Sequence, residues 1–180
     1  MHGFIFLQFK KFVQQTHGVQ AWQELKDEAQ VSRPQFNATE IYPDADIIAL
    51  VHTAAAKWEL PAEVFLEQVG TFLVPDLLDV YQLYINPAWR TLDLVEHTEN
   101  NMHRAVRVSS PEATPPILHV TRVNAKKLII DYHSKRRMAA LAVGIIKGIA
   151  AHYQESDRIN IVLHKYSGGE RVQIELTYSA

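Results

Sequence analysis

Apolar positions set the elements. Ile5, Phe9, Phe12 and Val13 recur at helical spacing, so the N-terminus reads as an amphipathic helix stopping near His17-Gly18, with a second helix around Trp22 to Ala29. From Asp44 to Trp58, the residues Ile47, Ile48, Val51, Ala54, Ala55 and Trp58 fall on one stripe. Pro61 with Glu63 marks the first turn of a further helix carrying Val64, Phe65 and Phe72. Asn86-Pro87 breaks the chain, and one long helix is expected from about Trp89 to Val108, ended by Ser109-Ser110 ahead of Pro111.

After Pro115-Pro116 the period changes from helical to alternating. "ILHVTRV" and "KLIIDYHS" flank Asn124 as a strand, a turn and a strand, Ala139 to Tyr153 returns to helix, and "RINIVLHKY", Ser167-Gly168-Gly169 and "RVQIELTY" read as a second hairpin. The fold class is α+β: a helical first half, then two hairpins flanking one helix, giving a four-stranded antiparallel sheet with a packed helix.

Composition narrows the partners. The 180 residues suffice for one domain with a sizeable core, and a net charge of -2 gives no bulk electrostatic case for nucleic acid. The chain contains no cysteine, which excludes disulfides, Cys-ligated zinc, iron-sulfur ligation and thiol catalysis. The opening "MHGFIFLQFKKFV" has no cationic lead and no small-residue cleavage site, so it is expected to be a core helix of a cytoplasmic protein. No run approaches the roughly 20 apolar residues that span a bilayer.

The candidate chemistry sits in "DYHSKRR". On a strand, Leu128, Ile130, Tyr132 and Ser134 share one face, with Arg136 continuing that row if the strand extends, while Asp131, His133 and Lys135 point the other way. Two hydroxyls beside a guanidinium can bind carboxylates, and the row passes from apolar to polar, so it suits an anion attached to a large apolar body. The same residues also fit a solvated strand end with snorkelling side chains. His97 and His103 look like a metal pair, but six residues of straight helix leave them about 120° apart, too far round to chelate one ion.

Taken in order, Met1-x-Gly3, Gly18-x-x-x-Trp22, His103 followed thirteen residues later by Pro116 in "ATPP", and Tyr132-x-Ser134-x-Arg136 resemble the haem nitric oxide/oxygen-binding family, H-NOX, over essentially the whole chain. The resemblance implies one gas-sensing domain over 1–180, with haem b held between a helical part of about 1–60 and an α+β part of about 61–180. His103 would be the iron ligand, Tyr132, Ser134 and Arg136 would bind the propionates, and Pro116 would press on the macrocycle. NO would weaken the bond opposite it and free the His103 helix to shift. The chain departs from the family at Glu99, where members usually carry an apolar residue four before the ligand, and it cannot form the cysteine cluster that some relatives carry.

In O2-binding members a tyrosine five residues beyond the arginine donates to the ligand; here that position is Leu141. Ile5, Phe9 and Leu73 are expected to join it in an apolar distal pocket, which favours NO and CO over O2 because oxygenated haem needs a hydrogen-bond donor. A signalling partner such as a histidine kinase or a cyclic-di-GMP enzyme is implied, with no enzymatic activity of the domain's own. Two other classes compete: a non-haem module for an amphipathic anion such as a fatty acid or another tetrapyrrole, and a haem enzyme such as a peroxidase.

Overall fold

The structure is a computed structural model that describes residues 1–165 and 169–179. Four helices come first: α1 (Gly3–His17), α2 (Val19–Glu28), α3 (Asp44–Lys57) and α4 (Ala62–Tyr81). A 3₁₀ turn over Gln82–Tyr84 leads to α5 (Thr91–Thr98), a π turn over Glu99–His103, and α6 (Arg104–Ser109). Strands β1 (Ile117–Asn124) and β2 (Lys127–His133) precede α7 (Ala139–His152), and β3 (Ile159–Lys165) and β4 (Arg171–Tyr178) close the described chain. The four strands form one antiparallel sheet in the order β1-β2-β4-β3. Of the expected second turn, only Gly169 lies within the described residues.

The sheet's alternation follows the sequence reading. Leu128, Ile130 and Tyr132 of β2 face Leu176, Ile174 and Val172 of β4 in register, and all six are buried. A single face of the sheet is therefore covered by helix, and a slip of one residue would turn the whole row to solvent.

Two hydrophobic clusters fill the interior. One gathers α1, α2, α3 and the first half of α4 around Phe6, Phe9, Phe12, Trp22 and Phe65. The other joins the sheet to α5, the end of α4 and most of α7. Helices α4 and α7 cross between them, in the most extensive helix contact of the fold. Small residues make that crossing possible: a Cβ on Gly144 would stand 2.1 Å from the Glu67 carbonyl oxygen, and one on Gly70 2.4 Å from that of Leu141. Thr71 Oγ1 adds a hydrogen bond across the crossing to the Gly144 carbonyl at 3.1 Å. Lys147 and Glu67 pair at its rim.

The long helix expected over Trp89 to Val108 is interrupted. It begins at Thr91, and the five residues Glu99–His103 wind as π rather than α. Its start is fixed from a distance: the buried Glu155 carboxylate accepts the Thr91 amide at 3.2 Å, satisfying one of the donors that every helix start leaves open. Arg122 of β1 donates to Glu96 and Asp93 at 2.7 and 2.8 Å, holding α5 against the sheet. Among the described residues, no helix is long and apolar enough to cross a membrane.

Candidate functional site

A cavity of about 210 Å³ lies between the two cores. Its walls come from five places: the first turn of α1 (Phe4, Ile5), one face of α4 (Leu73, Leu77, Tyr81), the π-interrupted helix (Val95, Met102, His103, Val106), the Ala113–Pro116 loop, and α7 (Leu141, Ile145, Ile149). Tyr132, Ser134 and Arg136 complete it from the sheet side.

His103 closes the π turn. On a straight α-helix its neighbours would be the polar Glu96, Glu99, Asn100 and Arg107. Single π turns of this kind recur at functional positions, and across this one Glu99 stays against His103. Here Met102 and His103 stand together on the cavity wall. His103 Nδ1 donates to Glu99 Oε2 at 2.8 Å, so the nitrogen left for a metal is Nε2. Glu99 also accepts from Arg107 Nη2 at 2.6 Å and from the Leu118 amide of β1 at 3.2 Å. Burial by itself pushes the Glu99 carboxyl up, yet the hydrogen bonds and charges of His103 and Arg107 outweigh it and hold the group below its ordinary value. His97 is occupied elsewhere: its Nδ1 meets the Asp93 carbonyl at 2.8 Å and its ring stacks on Trp89.

The polar end is built by a turn. Strand β2 stops at His133, so Arg136 does not continue the strand row as expected. The Ser134 side chain accepts the Arg136 amide at 3.3 Å and its carbonyl accepts the Arg137 amide at 3.2 Å, while Arg137 takes a left-handed φ of 56°. That fold-back carries the Arg136 side chain into the cavity and leaves Arg137 outside. The guanidinium donates to the Thr114 carbonyl at 2.6 Å, to Thr114 Oγ1 at 2.8 Å and to Asp44 Oδ1 at 2.8 Å. Burial pushes the Tyr132 phenol up, against the opposing effects of the Ser134 hydrogen bond and the Arg136 charge, so it stays a hydroxyl donor at neutral pH.

Asp44 was not foreseen. Its Oδ1 accepts from both Arg136 and the Met1 amino group, at 2.8 and 2.6 Å, and so ties the N-terminal helices to the sheet side of the cavity. Burial raises the Asp44 carboxyl, but the Met1 and Arg136 hydrogen bonds more than offset this and leave it lowered from 3.8. A folded value below the unfolded one gives stability that is present above the unfolded value and is lost as pH falls through the folded one. The melting temperature of Asp44→Asn is therefore expected to lie below wild type at pH 7, with the gap closing below about pH 4 as the carboxylate protonates. A gap that persists unchanged in acid would contradict the ionic tie.

Ile5, Leu73, Leu141 and Pro116 all line the cavity. Phe9 does not. Only the first turn of α1 reaches the cavity, and Phe9 packs inside the N-terminal core against Phe65 and Trp22, with ring centroids at 5.3 and 6.2 Å. Several lining residues escaped the sequence reading, and two of them are titratable. His2 enters beside Met1, where burial and the adjacent amino group depress its pKa, and Tyr81 stands two turns beyond Leu73 on α4, with its phenol raised mainly by burial. The spacing Leu73, Leu77, Tyr81 is the signal that could have found the second.

The cavity is a largely apolar slot with an imidazole on one wall and two hydroxyls and a guanidinium at one end, a donor set of the chemistry that suits an amphipathic anion carrying a metal. The chain belongs to the haem-NO-binding family, whose model matches residues 2–161. Solved structures share the fold. An H-NOX protein from S. oneidensis, a triple mutant in the Fe(II) ligation state, superposes with a TM-score of 0.90 at 19% identity, over 100% of this chain and 97% of that one. The Fe(II) unliganded H-NOX protein from K. algicida gives 0.87 at 20% identity, over 100% and 97%. The S. oneidensis protein in its Fe(II)NO state gives 0.87 at 19%, over 100% of both chains. No curated protein matches the sequence.

Proposed function

We propose that this chain is a haem-based gas sensor that binds NO and CO at ferrous haem b, disfavours O2, and signals to a separate protein. The observation that carries the reading is one cavity holding His103, the Tyr132, Ser134 and Arg136 clamp, and apolar side chains between them. The donor set fits the group. Among the described residues no cluster of three His, Cys, Asp or Glu could hold a metal ion, so an ion at His103 would bring its other ligands with it, as a porphyrin does. S. oneidensis relatives have been solved in Fe(II)NO and Fe(II)CO states, which supports the same ligands here.

Ferrous haem supplies the open coordination position at which the gases bind. His103 holds it from the π turn, and Tyr132, Ser134 and Arg136 orient it by its carboxylates. Pro116 presses from the loop before β1. Ile5, Leu73 and Leu141 withhold the hydrogen bond that O2 needs. Tyr81 carries a hydroxyl and also lines the cavity, but along α4 it stands about 12 Å beyond Leu73. Release of His103 would let the helical part, about 1–60, shift against 61–180, a switch between two packings. The output would be a cytoplasmic partner such as a histidine kinase or a cyclic-di-GMP enzyme, with no catalysis in this domain and no role for nucleic acid or membrane.

The test is the absorption spectrum of the haem-reconstituted ferrous protein. A Soret band that shifts with NO and does not become oxygenated in air is expected. No Soret band overturns the haem reading, and a stable oxygenated form overturns the selectivity; its loss in Tyr81→Phe would then make Tyr81 the donor.

A further inference from the structure

Glu99 is the position at which this chain departs from the apolar residue usual before the ligand, and the structure gives it a task. Its carboxylate gathers three donors from three elements: His103 Nδ1 at 2.8 Å, the Leu118 amide at 3.2 Å, and Arg107 Nη2 at 2.6 Å. Both side chains of the His103 pair are largely withdrawn from water, with 18% and 20% exposed. A hydrogen bond to a charged acceptor is roughly twice as strong as one to a neutral carbonyl. A carboxylate behind a metal-bound imidazole fixes its tautomer and raises its basicity.

The geometry points to Glu99 as a positioning residue that fixes His103 with Nε2 free for the metal and strengthens that bond, so that His103 resists release when NO binds. The inference rests on His103 being the iron ligand. It also links the ligand to β1 directly: the oxygen that holds His103 holds the Leu118 amide, two residues after Pro116. Movement of His103 is thereby coupled to the loop and the sheet edge as well as to its own helix. Arg107 sits on the other oxygen and draws charge away from the pair, so it moderates the effect of Glu99.

Two variants separate this role from a merely structural one. In the haem-reconstituted ferrous protein, Glu99→Gln keeps the shape and loses the charge. It is expected to shift the iron-histidine stretching band, read by resonance Raman, to lower wavenumber, to raise the fraction of five-coordinate NO complex, and to weaken haem retention about 10-fold. Arg107→Met leaves the carboxylate to His103 and the Leu118 amide and is expected to shift the same band the opposite way. Loss of packing would not give opposite signs. Unchanged bands in both variants, with a full Soret band present, overturn the inference and leave the haem reading standing. A wild-type protein with no Soret band overturns both.

Discussion

Leu141→Tyr is expected to convert a ferrous protein that stays unliganded in air into one that holds O2. Leu141 lies on the first turn of α7 and lines the cavity with Leu73 and Ile5, none of which can donate a hydrogen bond. A hydrogen bond to a charged acceptor contributes about 1.5–3 kcal/mol, which corresponds to roughly 10- to 100-fold slower loss of O2. The cavity beside Leu141 gives the larger ring room. The check is the visible spectrum of the ferrous variant in air, followed by stopped-flow dissociation. If neither Leu141→Tyr nor its combination with Leu73→Asn holds O2, absence of a donor is not what sets the selectivity.

Gly144→Leu is expected to abolish the native fold at 37 °C, and Gly144→Ala to cost about 3 kcal/mol. In an isolated helix the alanine change would add about 1 kcal/mol of stability, so the sign is set by the crossing and not by the helix. The added Cβ would lie 2.1 Å from the Glu67 carbonyl oxygen, which is backbone and cannot swing away. Pro75 constrains the same face of α4. It has no amide to give Thr71, whose carbonyl would come within 2.9 Å of a Cβ on Gly148. The two helices must therefore separate along the crossing that divides the two cores. Against a total stability of about 5–15 kcal/mol, urea melts will resolve the alanine effect. Alanine at wild-type stability would contradict the close approach.

The sequence was most readable where side-chain period alone decides placement. The row Leu128, Ile130, Tyr132, Ser134 is buried as strand alternation requires, at 0%, 2%, 4% and 8% exposure. Arg136 reached the expected place by a turn and not by strand extension, because Ser134 folds the chain back on itself. The π turn was not readable. Helical phase at 3.6 residues per turn put polar neighbours around His103, and Glu99 is one of them, yet the ring also lines the cavity beside Met102. Glu99 read as an anomaly because one strand amide and two side chains must converge before its purpose appears. Phe9 packs in the N-terminal core, since periodicity gives a helix its apolar stripe but not which turn of the stripe reaches the cavity. Asp44, which is 92 residues from Arg136 in the chain, carried no local signal at all.

The central claim is that His103 is the one protein ligand to a haem iron in this cavity. Ferrous spectra of haem-reconstituted His103→Gly, taken with and without added imidazole, test it most directly. The account predicts that the variant loses the histidine-ligated Soret band and that imidazole restores it, because Tyr132, Ser134 and Arg136, which line the same cavity, would still hold the ring. A His103→Gly protein whose spectrum matches wild type without imidazole would contradict it.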